Sequence, residues 1–162
     1  MVTFLNVGRH DEKQKKLTRV IYSAEKLKKD NKKFRIIFIG DGPDTELYKE
    51  KGLEKEIIFL GRKKNPYPYF KLADCVVLSS DYEGYPVVYL ESFVMQKPII
   101  TTNVSDSEQI EGHGIVVEKD ENEIYKAMKQ YIEKGYEITK KFDAEEYNNK
   151  IYEKLNELWG RY

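Results

Sequence analysis

Residues 35–51 read RIIFIGDGPDTELYKEK, and this stretch decides the fold. Its first five residues are apolar after the leading arginine, β-branched or aromatic, and do not alternate with polar residues. Such an unbroken run is typical of a strand that is covered on both faces. A glycine-rich turn, GDGP, follows, and Asp44–Lys51 then predicts a short helix. A buried strand that turns directly into a helix is the building unit of a parallel α/β sheet.

The same unit recurs along the chain. Short unbroken apolar runs predict six strands, at Thr3–Val7, Arg35–Ile39, Ile57–Leu60, Cys75–Leu78, Pro98–Thr101 and Gly114–Val117. The intervening and final segments predict helices over Lys16–Lys29, Asp44–Lys51, Tyr67–Ala73, Pro86–Met95, Asn122–Lys134 and Ala144–Trp159. The pattern predicts a single Rossmann-like α/β domain, with a parallel sheet of about six strands and helices on both faces. Ligands of such folds bind at the carboxyl ends of the strands.

Length and charge exclude several classes of protein. The chain has 162 residues, which is enough for one domain with a core and tight for two. The 28 lysines and arginines balance 28 aspartates and glutamates, so a nucleic-acid-binding protein is not expected. No apolar run approaches the roughly 18–20 residues of a membrane span, and the N-terminus does not resemble a signal peptide. With a single cysteine, Cys75, an internal disulfide is excluded. We therefore expect a soluble, cytoplasmic protein.

The turn Gly40-Asp41-Gly42-Pro43-Asp44-Thr45 is close to the dinucleotide fingerprint G-x-G-x-x-G, but threonine takes the last glycine position. A dinucleotide site also needs an acidic residue about twenty positions on, at the end of the next strand. That strand ends in Leu60-Gly61-Arg62, which carries no acid. These departures weigh against an oxidoreductase. They favour a tight turn that caps the next helix.

The segment Ser80–Glu91 reads SDYEGYPVVYLE and places two glutamates eight positions apart, Glu83 before a helix and Glu91 within it. The start of that helix offers unpaired N–H groups and a partial positive charge, which suit a phosphate group. On spacing alone, however, Glu83 could equally be an acid that stabilises the first turn, and Glu91 a surface residue.

A second candidate lies between the first strand and the first helix, where residues 8–16 read GRHDEKQKK. Arg9 has the planar, forked shape that grips a phosphate. A solvated charged loop is the alternative interpretation. His10 and His113 are not spaced as metal ligands, and Cys75 lies in an apolar run, so no metal site is expected.

Taken together, these motifs resemble the C-terminal, nucleotide-sugar-binding domain of GT-B glycosyltransferases, in particular the retaining enzymes of family 4 (group 1 glycosyl transferases). The resemblance runs from about Phe4 to Glu118. Seven landmarks occur in the expected order, and they are Asn6-Val7-Gly8-Arg9, Ile39-Gly40-Asp41-Gly42-Pro43, Ile58-Phe59-Leu60-Gly61, Asn65-Pro66-Tyr67 with Ala73-Asp74, Ser80 through Glu91, Lys97-Pro98-Ile99-Ile100-Thr101-Thr102, and Glu108-Gln109-Ile110 before Gly114.

The resemblance implies roles for individual residues. Glu83 would be the catalytic residue, contacting the donor sugar and stabilising positive charge at its anomeric carbon, and Glu91 would hold both ribose hydroxyls. The residues that would bring backbone close to the donor are Gly8, Gly84, Tyr85 and Val87. Gly61 and Arg62 would lie near the nucleobase. The donor would be a UDP-, GDP- or ADP-sugar, and neither a cofactor nor a metal is expected.

Arg9 and a lysine that follows it would neutralise the diphosphate leaving group. In the family this lysine comes about five residues after the arginine, a register that falls here on Gln14. One additional loop residue makes Lys15 the match, with Lys13 and Lys16 as rivals.

A GT-B enzyme has two Rossmann-like domains, and the acceptor site lies on the N-terminal one. By the resemblance, residues 1–162 correspond to the donor domain alone, with 143–162 as a closing helix whose Tyr147, Ile151, Leu155 and Leu158 would leave apolar surface exposed. The expected function is therefore the donor-binding half of a retaining hexosyltransferase-type enzyme of surface polysaccharide synthesis.

That half would use a saccharide or lipid-linked acceptor and would be inactive without the acceptor domain or a partner chain. A peripheral membrane association of the full enzyme is compatible with this assignment. The alternative is a non-catalytic nucleotide-sugar-binding subunit or partner of a split glycosyltransferase. A receiver- or flavodoxin-like regulator is disfavoured, because Gly8-Arg9-His10 stands where such a protein carries acids.

Overall fold

The computed structural model describes residues 1–51, 53–84 and 86–159. The strands are β1 Val2–Val7, β2 Phe34–Ile39, β3 Ile57–Phe59, β4 Cys75–Leu78, β5 Ile99–Thr102 and β6 Gly114–Val117. The α-helices are α1 Leu17–Lys29, α2 Thr45–Lys51, α3 Tyr67–Leu72, α4 Val87–Val94, α5 Glu121–Lys134 and α6 Ala144–Trp159. A single 3₁₀ turn over Ser107–Ile110 precedes β6 in the described part of the chain.

All six strands are parallel and lie in the order β3-β2-β1-β4-β5-β6. The predicted fold is therefore confirmed. Because the chain builds outward from β1 in one direction and from β4 in the other, the strand order reverses between these two strands. A crevice opens at such a reversal point, at the carboxyl ends of the strands. The buried side chain of Asn6 fastens β1 to β4 there by donating to the carbonyl of Val77 at 2.8 Å.

Two apolar layers cover the sheet. On one face α1 and α5 pack around Phe4, Ile36, Phe38 and Val77, and on the other α3 and α4 pack against Leu5, Val76 and Ile99. All four residues of β4 and of β5 are buried, as expected for central strands that are covered on both faces. Fully burying one such aliphatic side chain stabilises the fold by about 1.5–3 kcal/mol.

The predicted element boundaries are correct to within one residue. β1 and β2 each begin one residue earlier than predicted, at Val2 and Phe34, and these two residues are partners in the sheet. The 3₁₀ turn was not predicted, because its four residues, SEQI, lack a helical apolar repeat.

The last helix, α6, is mostly exposed, as predicted for the C-terminal segment. Ile151 and Leu155 on this helix are exposed, Tyr147 is half-buried, and the side chain of Leu158 lies outside the described part of the chain. Residues 135–143 lead to it, and the main-chain N–H of Thr139 donates to the carbonyl of Gly112 at 2.9 Å. Within the described ranges, no helix is both long and apolar enough to cross a membrane.

Candidate functional site

The crevice between β1 and β4 contains a cavity of about 200 Å³. It is lined by the end of β1, by the loops that follow β1 and β4, and by the start of α4. The lining residues are Asn6, Val7, Gly8, Lys15, Leu17, Leu78, Ser80, Glu83, Pro86, Val87 and Val88. Four of the predicted site residues, Gly8, Lys15, Glu83 and Val87, are therefore brought together, although up to 79 positions separate them in the sequence.

The loops that follow β1 and β4 are bonded to each other. The hydroxyl of Ser79 donates to the carbonyls of Lys15 and Lys16 at 2.8 and 2.9 Å, and the N–H of Asp81 donates to the carbonyl of Gln14 at 2.8 Å. Arg19 completes the link through its Nη1, which lies 2.6 Å from Oδ1 of Asp81. Ser79 directly follows the buried strand β4, and its short hydroxyl reaches the adjacent loop. Residues 14–16 are thus held by the loop that follows β4.

Lys15 and Glu83 form an ion pair inside this cavity. Lys15 Nζ lies 2.6 Å from Oε1 of Glu83, and the hydroxyl of Ser80 donates to the same oxygen at 2.5 Å. The side chain of Glu83 is only 9% exposed and that of Lys15 22%. A pair that is sheltered from water interacts more strongly than one at the surface.

The neighbouring cations of the loop lie elsewhere. Lys13 is exposed, and Lys16 Nζ lies 3.9 Å from Asp81 outside the cavity lining. Gln14, on which the family register falls, donates through its side-chain amide to the carbonyl of Tyr82. Of the three candidate lysines, Lys15 is the one that lines the cavity in the described part of the chain.

A second, larger groove of about 390 Å³ lies between α3 and α4. Its lining is formed by Tyr67, Val87, Leu90, Glu91, Val94 and Met95. Glu91 is half-buried, and burial raises the pKa of its carboxyl. Within residues 1–51, 53–84 and 86–159, no side chain forms a hydrogen bond or an ion pair with this carboxylate. Val87 lines both the groove and the smaller cavity, so both spaces border this residue.

The other predicted residues that the structure describes lie around this edge of the sheet. Arg9 and Arg62 are exposed, Gly61 accepts from the N–H of Gly40 at 3.1 Å, and Gly84 is exposed. Tyr85 lies outside the described residues. A position at this edge does not by itself assign a ligand to a residue, so the roles of these five stay predictions.

The turn after β2 is confirmed as a tight turn. Oδ1 of Asp41 accepts from the N–H of Gly42 at 2.8 Å and from the hydroxyl of Thr45 at 3.0 Å. The turn also supports the loop after β1, because the N–H of His10 donates to the carbonyl of Asp41 and the carbonyl of His10 accepts from Asp44. It therefore acts on the site indirectly, by holding residues 8–10.

His10 lies at the centre of the contact between the loop after β1 and the turn after β2. Its burial was not predicted from the sequence. Its ring is fully buried among the rings of Phe38, Tyr48 and Phe59, with centroids 5.7–6.3 Å away. Nδ1 lies 2.9 Å from the hydroxyl of Thr45, whereas Nε2 has no hydrogen-bonding partner in the described part of the chain. Burial lowers the pKa of His10; the nearby Asp41 opposes this shift and Lys49 adds to it.

This environment predicts a pH-dependent stability. Because the pKa of His10 is lowered in the folded state, the unfolded chain binds the proton more readily. The free energy of unfolding should therefore fall as the pH drops below the ordinary histidine pKa of about 6.5, until the folded-state pKa is reached. Urea unfolding at pH 7.5 and 5.5 measures this loss.

The variant His10→Asn should show a smaller loss between the two pH values than the wild type. The pKa of His113 is also lowered, by burial and by Lys140, so His113 adds its own part to the pH dependence of the free energy of unfolding. His113→Asn is therefore the matched control, and it should remove only the part that is due to His113. An unchanged pH dependence in His10→Asn would contradict the assignment.

No cluster of three or more histidine, cysteine, aspartate or glutamate side chains is arranged to hold a metal ion in residues 1–51, 53–84 and 86–159. The metal-free site stays a prediction.

Comparison with known proteins identifies relatives over most of the chain. A family model described as "Glycosyl transferases group 1" matches residues 2–134. An uncharacterised glycosyltransferase of Methanocaldococcus jannaschii is 32% identical over 104 residues, which are 62% of this chain and 25% of that protein. The N-acetylgalactosamine-N,N'-diacetylbacillosaminyl-diphospho-undecaprenol 4-alpha-N-acetylgalactosaminyltransferase of Campylobacter jejuni is 30% identical over 138 residues, or 80% of this chain and 37% of that protein.

Among solved structures, HepE of Anabaena, determined in complex with UDP, superposes with a TM-score of 0.77 at 17% sequence identity. The match covers 96% of this chain and 48% of that one. At this identity the likeness establishes the fold alone. The chain thus spans between a quarter and about a half of the proteins it matches.

Proposed function

The chain belongs to the group 1 glycosyltransferases, and on that premise we propose that it is the donor-binding half of a retaining enzyme. The enzyme would transfer a sugar from a nucleotide diphosphate sugar to a saccharide or lipid-linked acceptor. The observation that carries this proposal is the sheltered Lys15–Glu83 pair, in a cavity that shares the lining residue Val87 with the Glu91 groove. In such a donor the diphosphate joins the sugar to the ribose, so Lys15 would meet the diphosphate, Glu83 the sugar and Glu91 the ribose.

The donor diphosphate would lie at the start of α4, beside Lys15. Its negative charge competes with Glu83 for the lysine, and the N–H groups of the first helical turn add partial positive charge. Glu83, released from the pair, can then face the sugar. Arg9, exposed on the same loop, can approach from the solvent side. Two cations and a helix start would stabilise the leaving group without a metal.

In the transfer step, the bond between the anomeric carbon and the diphosphate oxygen breaks. The hydroxyl oxygen of the acceptor bonds to that carbon, and the proton of the hydroxyl leaves with the nucleoside diphosphate. Glu83 would stabilise the positive charge that builds at the anomeric carbon. The acceptor would be supplied by a second domain or chain, so domain 1–162 alone should bind donor and turn over little.

One relative and one structural neighbour support this proposal. The name of the Campylobacter jejuni protein includes a diphospho-undecaprenol-linked saccharide, and the structure of HepE was determined in complex with UDP. UDP is therefore the first probe to test, with GDP and ADP beside it. Synthesis of a surface polysaccharide or a lipid-linked saccharide is the process we propose for the whole enzyme.

Calorimetry should detect binding of at least one of UDP, GDP and ADP at millimolar concentration. Glu91→Ala should weaken that binding about tenfold, because a carboxylate that accepts from two ribose hydroxyls forms charge-assisted hydrogen bonds. Glu46→Ala removes a glutamate that is 79% exposed on α2 and serves as the control, with no change in affinity expected. If the wild type binds none of the three nucleotides, or if Glu91→Ala binds as the wild type does, the proposal is wrong.

A further inference from the structure

His10 is a buried titratable residue that the proposed transfer step does not use. Its ring is fully buried, and its Nε2 has no hydrogen-bonding partner within residues 1–51, 53–84 and 86–159. The rings that surround it come from three separate elements, and they are Phe38 of β2, Tyr48 of α2 and Phe59 of β3. A buried polar atom without a partner is rare in a folded protein, so it calls for an explanation.

The other ring nitrogen indicates where the proton of the neutral ring lies. Nδ1 is 2.9 Å from the hydroxyl of Thr45, and that hydroxyl is 3.0 Å from Oδ1 of Asp41. A hydroxyl has one proton to donate, and a carboxylate is the strongest acceptor beside it. We therefore assign Thr45 as the donor to Asp41 and as the acceptor from Nδ1–H, which leaves Nε2 unprotonated among the aromatic rings. A second proton, on Nε2, would place a charged N–H there without an acceptor, which costs free energy.

The charged groups around the ring do not supply that acceptor. The titratable and charged residues of the elements packed around His10 are Arg9, Asp11 and Glu12 of the loop after β1, Asp41 and Asp44 of the turn after β2, Tyr48 and Lys49 of α2, and Arg62 after β3. In the described ranges, none of them forms a hydrogen bond with Nε2. Burial lowers the pKa of His10 more than Asp41 raises it, and Lys49 lowers it further. The ring is therefore neutral in the position that the structure shows.

The position of His10 also holds the main chain on both sides of Arg9. The N–H of Gly8 donates to the carbonyl that ends β2 at 2.9 Å, and the N–H of His10 donates to the carbonyl of Asp41 at 3.1 Å. The carbonyl of His10 accepts from the N–H of Asp44 at 3.2 Å. Arg9 thus lies between two bonded residues, and one of them, Gly8, lines the cavity. If the ring leaves its aromatic surroundings, the main chain of residue 10 has to move with it.

We infer that His10 is a positioning residue for the donor site, which holds Gly8 and Arg9 in place while its ring is neutral and releases them when its ring is protonated. The inference rests on the proposed function, in which Arg9 approaches the diphosphate. Protonation favours the released loop, whereas a bound nucleotide favours the held loop. The affinity for a nucleotide should therefore fall as the pH drops below the ordinary histidine pKa of about 6.5.

Hydrogen exchange tests the loop without any ligand. Between pH 7.5 and 5.5 the released loop should gain up to about tenfold over the held loop, because a solvated imidazole titrates near pH 6.5. The N–H groups of residues 8–10 should lose protection by about that factor relative to β5 in the same protein, a reference that also corrects for global unfolding. His10→Leu replaces the ring with an apolar side chain that cannot titrate, so it should show no such loss.

Calorimetry at the same two pH values tests the effect on the site, using the nucleotide among UDP, GDP and ADP that binds the wild type most tightly. The terminal phosphate of the nucleotide itself gains a proton near pH 6, as do other groups at lower pH. The measured quantity is therefore the ratio of wild-type to His10→Leu affinity, in which changes common to both proteins cancel. This ratio should fall roughly twofold to tenfold between pH 7.5 and 5.5. His113→Asn, which replaces a buried histidine before β6, should follow the wild type.

The inference is overturned if the affinity ratio does not change between the two pH values. It is also overturned if the ratio rises at pH 5.5, since protonated His10 would then attract the diphosphate directly, or if residues 8–10 lose no more protection than β5. The comparison with β5 needs only the wild type, so it decides the matter even where His10→Leu does not fold. If the wild type binds no nucleotide, the proposed function fails, while the exchange result still shows whether His10 holds the loop.

Discussion

Replacing Gly40 with alanine is expected to lower the free energy of unfolding by about 3–5 kcal/mol. Gly40 directly follows β2 and has φ +142°, a backbone conformation that side-chain-bearing residues rarely adopt. A Cβ here would lie 1.8 Å from the carbonyl oxygen of Gly8 and 2.9 Å from its carbonyl carbon. Both are main-chain atoms, so the clash can be relieved only by moving the loop after β1. Urea unfolding measures the loss.

Gly135 provides the matched control. It also has a positive φ, +68°, but a Cβ there meets nothing within 4 Å. Gly135→Ala should therefore cost only the backbone strain, about 1 kcal/mol. Equal losses in the two variants would show that the turn after β2 and the loop after β1 do not approach each other this closely.

The sequence predicted the sheet because its strands are buried on both faces. β4 and β5 consist of uninterrupted buried residues, and such runs stand out in a chain that is otherwise rich in charge. The strand order could be inferred only from the family likeness, because nothing in a strand's own residues says which strand lies beside it. The pairing of Phe4 with Cys75 at the centre of the sheet joins residues 71 positions apart.

In the candidate site, the positions of the two glutamates relative to α4 could be predicted from the sequence. Which lysine lines the cavity could not. Glu83 and Glu91 sit on either side of a helix start, which a sequence pattern can locate. The choice among Lys13, Lys15 and Lys16 depends on how the loop turns, and Lys16 turns it with a left-handed backbone, φ 50°. A lysine in that conformation leaves no sequence signal. The burial of His10 went unnoticed for a similar reason, since it depends on rings from β2, α2 and β3.

The groove between α3 and α4 could not be predicted from the sequence either. It needs α3 and α4 to lie side by side, and the residues that form the groove, Tyr67 and Glu91, come from helices separated by a strand. Sequence motifs locate residues that follow one strand or begin one helix. They do not show which side chains from different elements line the same cavity.

We expect substitutions of Lys15 and of Glu83 to have opposite effects on the binding of a diphosphate. In the structure, each of the two satisfies the charge of the other in a sheltered cavity. In the proposed function, a diphosphate takes the place of Glu83 beside the lysine by breaking that pair, which reduces its net binding free energy. Removing the charge of Lys15 removes the attraction for the diphosphate. Neutralising Glu83 removes the group that competes with the diphosphate for Lys15.

Lys15→Met should therefore weaken UDP binding by about tenfold to a hundredfold, the loss of a hydrogen-bonded charge pair. Glu83→Gln should bind UDP more tightly than the wild type, since glutamine can still accept from the Ser80 hydroxyl while Lys15 becomes free for the diphosphate. In an enzyme carrying both halves, the same Glu83→Gln change should slow sugar transfer by about 10²–10³-fold.

Lys13→Met, on the exposed side of the same loop, is the control and should leave UDP affinity within twofold of the wild type. Calorimetry at two salt concentrations makes the comparison stricter, because salt screens an electrostatic gain. The advantage of Glu83→Gln should shrink as salt rises. If Glu83→Gln and Lys15→Met weaken UDP binding alike, the two residues act together as a structural pair, and the diphosphate does not take over the lysine.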